Sequence, residues 1–202
     1  MINQHAIQQL ENHFENFDLA ATLFGTIFEN NVQRFLELKH MLHEVDVSRD
    51  KRFQKQFGYF YGVQRMSREA KTAYFTRFEQ LKETDGPIDV RELTEEMAPA
   101  LGKRQFSFCS KMANLIEDDT YPIYDRYVAT VFHRPGLGYG MDYKTHLYQD
   151  LCDTYRSLKN HPLVAAFRER FHAEDMGYMK VLDALFWFVG NSIETERRLN
   201  NP

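Results

Sequence analysis

The chain has 202 residues, of which 43% are hydrophobic and 14% aromatic, enough for a substantial core and inconsistent with intrinsic disorder. That length suits one domain, or one domain with a helical extension, and no apolar run approaches the roughly 18 residues needed to span a bilayer. The formal net charge of −4 is not the strongly basic balance usual in duplex-binding proteins.

The opening MINQHAIQQLENH lacks the basic and apolar regions of a signal peptide, so cytoplasmic residence is expected. Residues 3–16 predict a polar-faced helix. A longer helix follows, with Leu19, Leu23, Ile27, Phe28, Phe35, Leu38 and Leu42 as an apolar stripe and Gly25 weakening it from inside. Ser48 is the expected N-cap of a third helix. Ser67 caps the fourth, REAKTAYFTRFEQLKE, whose Ala70, Tyr74, Phe75, Phe78 and Leu81 form a buried stripe.

Thr84-Asp85-Gly86-Pro87 is the clearest break in the chain. Asp89 then opens a short helix that ends at Leu101-Gly102, where glycine suits a C-terminal cap. Helices are expected over about 104–116 and 124–133, followed by the loop HRPGLGYG (133–140) and a helix from Asp142 to about Lys159. Asn160-His161-Pro162 breaks the chain before VAAFRERF. Residues 175–190 form the most apolar helix and carry Trp187, and the tail ETERRLNN is polar. No strand set, internal repeat or low-complexity tract is visible. The expectation is an all-α bundle, with residues 1–48 an N-terminal helical extension packed on a domain of residues 49–202.

The chemistry concentrates in FSFCSKMANLIEDDTYPIYDRYVATVF, residues 106–132. Lys111 lies in an apolar helical stretch, where an unpaired ammonium is costly to bury. A carboxylate nearby offsets that cost, and a partly desolvated lysine is a usable nucleophile. Asp125 opens the next helix after a short acidic, Pro-containing turn. A surface lysine beside an N-cap aspartate, or a structural ion pair, is the plainer alternative. Asp118 and Asp119 read as solvated turn carboxylates. Cys109 and Cys152 have no metal or disulfide pattern, and Cys109 reads as a small core residue. The histidines His133, His146, His161 and His172 lack ligand spacing, so no metal and no cofactor is expected.

Phe106, Ser107, Ser110 and Lys111, followed by Tyr121-Pro122-Ile123-Tyr124-Asp125, resemble the Lys…Asp helix pair of helix-hairpin-helix DNA glycosylases. The closest likeness is to bacterial proteins of the 8-oxoguanine-glycosylase fold. YFYGVQR (59–65) and LDALFWFVG (182–190) add weaker likeness, so the resemblance covers about residues 50–190. It implies an all-α glycosylase bundle without the N-terminal β domain of larger relatives. The hairpin is degenerate here, because the Gly-rich turn that precedes the lysine in the family has no counterpart after Gly102. The loop to Asp125 is also shorter than in many relatives.

By that resemblance Lys111 is the Schiff-base nucleophile that attacks C1′, and Asp125 is the essential carboxylate that stabilises the oxocarbenium-like sugar and shuttles protons. Amine attack needs neutral lysine, whereas close pairing with a carboxylate favours the ammonium, so the two must be separated or desolvated by substrate. Phosphate contacts fall to Lys103, Arg104, Ser107, Ser110, Arg126, His133 and Arg134, with solvated surface charge as the alternative. Tyr59, Tyr61, Arg65, Asn114, Phe186 and Trp187 are candidates for the pocket of an extruded base, although aromatic stripes at helical spacing also build cores. The implied function is a monomeric DNA glycosylase, with or without a lyase step, acting on damaged or modified DNA in repair or in defence against modified phage DNA. The base removed is not legible, and residues 1–48 are placed to tune it. A catalytically silent module binding DNA or a protein, or another lysine-dependent enzyme acting on a nucleoside or aldehyde, are the competing readings.

Overall fold

The computed structural model describes residues 1–63, 65–84, 86–132 and 140–200. Among the described residues there are ten helices and no strand, so the chain is all-α. The helices are α1 (Gln4–His13), α2 (Phe17–Glu44), α3 (Lys51–Tyr61), α4 (Arg68–Lys82), α5 (Val90–Leu101), α6 (Phe106–Ile116), α7 (Arg126–Val131), α8 (Met141–Ser157), α9 (Pro162–Phe171) and α10 (Tyr178–Asn200). No helix among the described residues is long and apolar enough to cross a membrane.

Side-chain caps set many of these boundaries. Ser67 accepts the Ala70 N–H at the start of α4, and Asp89 accepts from Arg91 and Glu92 at the start of α5. Gly102 ends α5 in the left-handed conformation that glycine adopts without steric cost. Ser48 does not cap α3. It turns back to Asp46, and Asp50 takes the Phe53 N–H at 2.6 Å instead. The helix expected over residues 175–190 runs from Tyr178 to Asn200, so the polar tail is helical rather than separate.

The chain forms two compact units. Met1–Val32 and Asp118–Pro202 make the first, and Gln33–Glu117 make the second. Residues 1–48 therefore contribute to both: α2 begins in the first unit and ends in the second.

In the first unit, Phe14, Phe28, Phe167, Phe171 and Phe188 form one aromatic cluster, with Phe28 and Phe167 meeting edge-on at 5.4 Å. Phe28 is buried as expected, but Leu19, Leu23 and Ile27 are exposed; Ala20, Ala21 and Val32 face inward in their place. Farther along α2 the expected Phe35, Leu38 and Leu42 are buried with Phe28, so the stripe holds from Phe28 onward and only its first three residues lie off the packed face. Helix α10 is the centre of this unit and is buried from Tyr178 to Phe186. Helix α7 lies against it: a Cβ on Gly190 would fall 2.5 Å from the Tyr127 carbonyl carbon.

In the second unit, Phe53, Phe57 and Tyr61 of α3 recur at i, i+4, i+8; Phe53 and Phe57 pack on Tyr74, Phe75 and Phe78 of α4, and Tyr61 packs on Phe57. The expected α4 stripe is buried throughout, from Ala70 to Leu81. Each such aromatic removed from water contributes on the order of 2–3 kcal/mol. Helix α6 is tied to α4 by the Tyr74 hydroxyl, which donates to the Phe108 carbonyl at 2.8 Å.

Candidate functional site

Lys111 lies on α6, whose residues Cys109–Leu115 are all buried, and only 8% of the lysine is exposed. The helix presents other polar groups in the same stretch. Ser110 is fully buried and donates to the Ser107 carbonyl at 3.1 Å. Asn114 is also fully buried, and its carbonyl oxygen accepts a long hydrogen bond, 3.4 Å, from the Tyr61 hydroxyl. The second unit thus brings together Lys111, Ser110, Asn114 and Tyr61 from the expected set. Cys109, beside them, is no competing nucleophile: burial pushes its thiol up to about 11.

Tyr59 and Tyr61 part company. Two positions on a helix are separated by about 200° of rotation, so Tyr61 faces the core while Tyr59 is 65% exposed. Arg65 and Lys103 are exposed, Ser107 is half-buried, and Arg104 is held by Glu95 through its Nε at 2.7 Å.

Asp125 is the N-cap of α7. Its carboxylate accepts the Tyr127 N–H at 2.8 Å, with extended backbone at the cap residue. The segment leading into it is fixed from α10, because both carboxylate oxygens of Asp183 accept the Ile123 N–H at 3.0 Å. Asp183 is buried and acts two residues upstream of Asp125. Burial raises its carboxyl above the ordinary range; the Lys180 charge, the Ile123 N–H and the Tyr155 hydroxyl oppose that rise, while the Asp125 charge adds to it. The first unit therefore holds a buried polar group of Asp183, Lys180 and Tyr155 behind the α7 N-terminus, with Asp125 at its edge.

Asp183 and Lys180 escaped the sequence reading, although the signal that singled out Lys111 was present for both: a charge inside the most apolar segment of the chain. Asp118 was also misjudged as solvated. It is buried and accepts the Gly177 N–H at 2.7 Å, while Asp119 accepts the Tyr178 N–H at 2.8 Å, and together they cap α10. Solvation and capping look alike in a sequence, since both put Asp in a turn.

No family model, curated protein or solved structure matches the chain. Phe186 is fully buried and stacks on Tyr155 with centroids 5.2 Å apart. Trp187 is half-buried and meets Tyr127 edge-on at 5.3 Å. Arg126 lies over the Tyr127 ring and pairs with Glu194 at 2.6 Å, and Glu194 also accepts from Thr130. His133 and Arg134 lie outside the described residues. Among the described residues no group of histidine, cysteine or carboxylate side chains has metal-site geometry.

Proposed function

We propose that the chain is a DNA glycosylase of the helix-hairpin-helix type, in which Lys111 is the nucleophile and Asp125 the essential carboxylate. The observation that carries this reading is the burial of Lys111 in α6 beside Ser110 and Asn114, since a lysine withdrawn from water at a polar cluster is the form of lysine that covalent chemistry needs. In that reaction the neutral amine forms a bond to C1′ as the N-glycosidic bond breaks. The base leaves with the bonding pair and takes up a proton. Ring opening then yields an imine, from which β-elimination cuts the strand. Asp125 stabilises positive charge on the sugar and carries protons. The substrate is damaged or modified DNA, in repair or in defence against modified phage DNA.

Borohydride trapping on oligonucleotides carrying a panel of lesions tests this directly. Wild-type protein should form a covalent adduct, and Lys111→Gln should form none while keeping its helical circular dichroism. Undiminished trapping by Lys111→Gln would remove the lysine from the nucleophile role. Mass spectrometry of bases released from several genomic DNAs, heavily modified phage DNA included, would identify the substrate.

Asp125 is tested by separating cap from charge. Asparagine caps about as well as aspartate, whereas alanine loses about 1 kcal/mol of stability. Asp125→Asn should therefore melt within about 1–2 °C of wild type and yet lose excision. Full excision by Asp125→Asn would leave capping as the residue's whole role.

A second reading, a catalytically silent module that binds DNA or a protein, draws support from the ion pairs that occupy Arg104 and Arg126. Retained DNA binding with no adduct on any lesion would favour it.

A further inference from the structure

A groove of about 420 Å³ opens in the second unit, walled by α2 on one side and α3 on the other. We propose that it binds a nucleotide, with the phosphate held by Arg34, Arg52 and Lys55 and the base laid against Tyr59. This site is separate from the chemistry assigned to Lys111 and stands whether or not that assignment does.

Helical spacing assembles the groove. Arg52, Lys55 and Tyr59 are related by i, i+3 and i, i+4 steps and so share one face of α3; Arg34 and Glu37 do the same on α2. Arg49, Arg77, Arg104, Arg126, Arg156 and Arg198 each lie within ion-pair distance of a carboxylate. Arg34, Arg52 and Lys55 form no ion pair among the described residues. In a chain of net charge −4, three cations against the single Glu37 carboxylate around one concavity make a local anion-attracting field. Two guanidinium groups offer paired N–H donors that match phosphate oxygens.

Three features point to a nucleotide rather than a bare anion. The volume lies within the few hundred to a thousand Å³ usual for small-ligand sites. Tyr59 is 65% exposed and has no ring partner among the described residues, so its face is open for stacking. Phe60, beside it, is held edge-on against Tyr61 at 4.6 Å and gives the wall a fixed apolar surface. Lastly, the groove carries polar groups unsuited to an anion. The Glu37 carboxylate would repel phosphate but accepts from sugar hydroxyls or base N–H groups. The Gln56 carbonyl oxygen is closed off from solvent with no hydrogen-bond partner among the described residues. An unmet acceptor of that kind is costly to leave so, and a base N–H is the type of donor that would satisfy it.

Binding is measured at low ionic strength with three probes: thymidine 5′-monophosphate, a short fluorescein-labelled oligothymidylate and inorganic pyrophosphate. The nucleotide probes should bind, and Arg52→Glu and Lys55→Glu should each weaken them by about tenfold or more. Arg68→Glu, an equal charge change at an exposed position of α4, should leave affinity within about twofold. Tyr59→Ala should lower nucleotide affinity by about five- to 150-fold, the usual worth of one stacked base, without changing pyrophosphate binding, and Tyr59→Phe should restore it. Equal affinity for monophosphate and oligothymidylate would identify a free nucleotide as the ligand. Preference for the oligomer, with affinity falling steeply as salt rises, would identify a unit of a nucleic-acid strand. The proposal is overturned if no nucleotide probe binds, if Arg68→Glu weakens binding as much as Arg52→Glu, or if Tyr59→Ala leaves nucleotide affinity intact. Lesion trapping at Lys111 is a separate readout, so either assignment can fail alone.

Discussion

Gly190→Ala should be among the most damaging single-methyl changes in the chain, lowering stability by about 3 kcal/mol or more. For a protein of this size that corresponds to a fall of roughly 6–12 °C in melting temperature. A Cβ at this position would lie 2.5 Å from the Tyr127 carbonyl carbon and 3.0 Å from its Cα. Those are backbone atoms, which no rotamer change moves aside, so α7 would have to lift from α10. That shift would also disturb the Trp187–Tyr127 contact and the Arg126–Glu194 pair. Gly25 supplies the control within the same unit. Its Cβ would meet only the edge of the Phe171 ring, at 3.9 Å, and alanine is the better helix former. Gly25→Ala should therefore stabilise by about 0.5–1 kcal/mol. Thermal melts that fail to separate the two variants would refute the close approach of α7 and α10.

Asp183→Ala should cost about 2–3 kcal/mol, because it leaves the buried Ile123 N–H without an acceptor. Asparagine keeps an acceptor for Ile123, so the comparison with Asp183→Asn isolates the titratable proton. Burial moves the Asp183 carboxyl from an ordinary 3.8 to about 8. Between those values the folded chain holds a proton that the unfolded chain has released. The contribution of this group to stability is thus complete below about pH 4 and is lost as pH rises toward 8. Asp183→Asn lacks the titration. Relative to wild type it should gain stability steadily from pH 5 to pH 8.5, in denaturation series run side by side. The opposite trend would mean that Lys180 dominates and that Asp183 is held as the anion. Because Asp183 anchors Ile123, any excision activity should fall in Asp183→Ala along with the position of Asp125.

Helix boundaries that depend on a residue and its neighbours a few positions away were legible in the sequence. Ser67, Asp89 and Gly102 cap as their types suggest, and the α4 stripe is buried in full. What failed depends on partners distant in the chain. The period of α2 marks a helix, but it does not say that Ala20 and Ala21 would pack while Leu19 and Leu23 stayed exposed. Asp50 took the cap from Ser48 because Asp46 engaged the serine first. Gly190 reads as an ordinary helical glycine until α7 is placed on it. For the site, the buried lysine of α6 was visible as a charge among apolar neighbours. The same logic, applied to residues 178–190, would have found Lys180 and Asp183. The α2–α3 groove was hidden because Arg34 lies on a different helix from Arg52 and Lys55, and because Tyr59 was read toward the pocket of an extruded base.

The first unit draws on both ends of the chain, residues 1–32 and 118–202, with the second unit encoded in between. During synthesis the ribosome therefore delivers every residue of the second unit before the first can be completed. The α3–α4 aromatic core can assemble while Phe14 and Phe28 still await Phe167, Phe171 and Phe188. Helix α1 and the start of α2 thus leave the ribosome before the second unit does and meet these partners only after it.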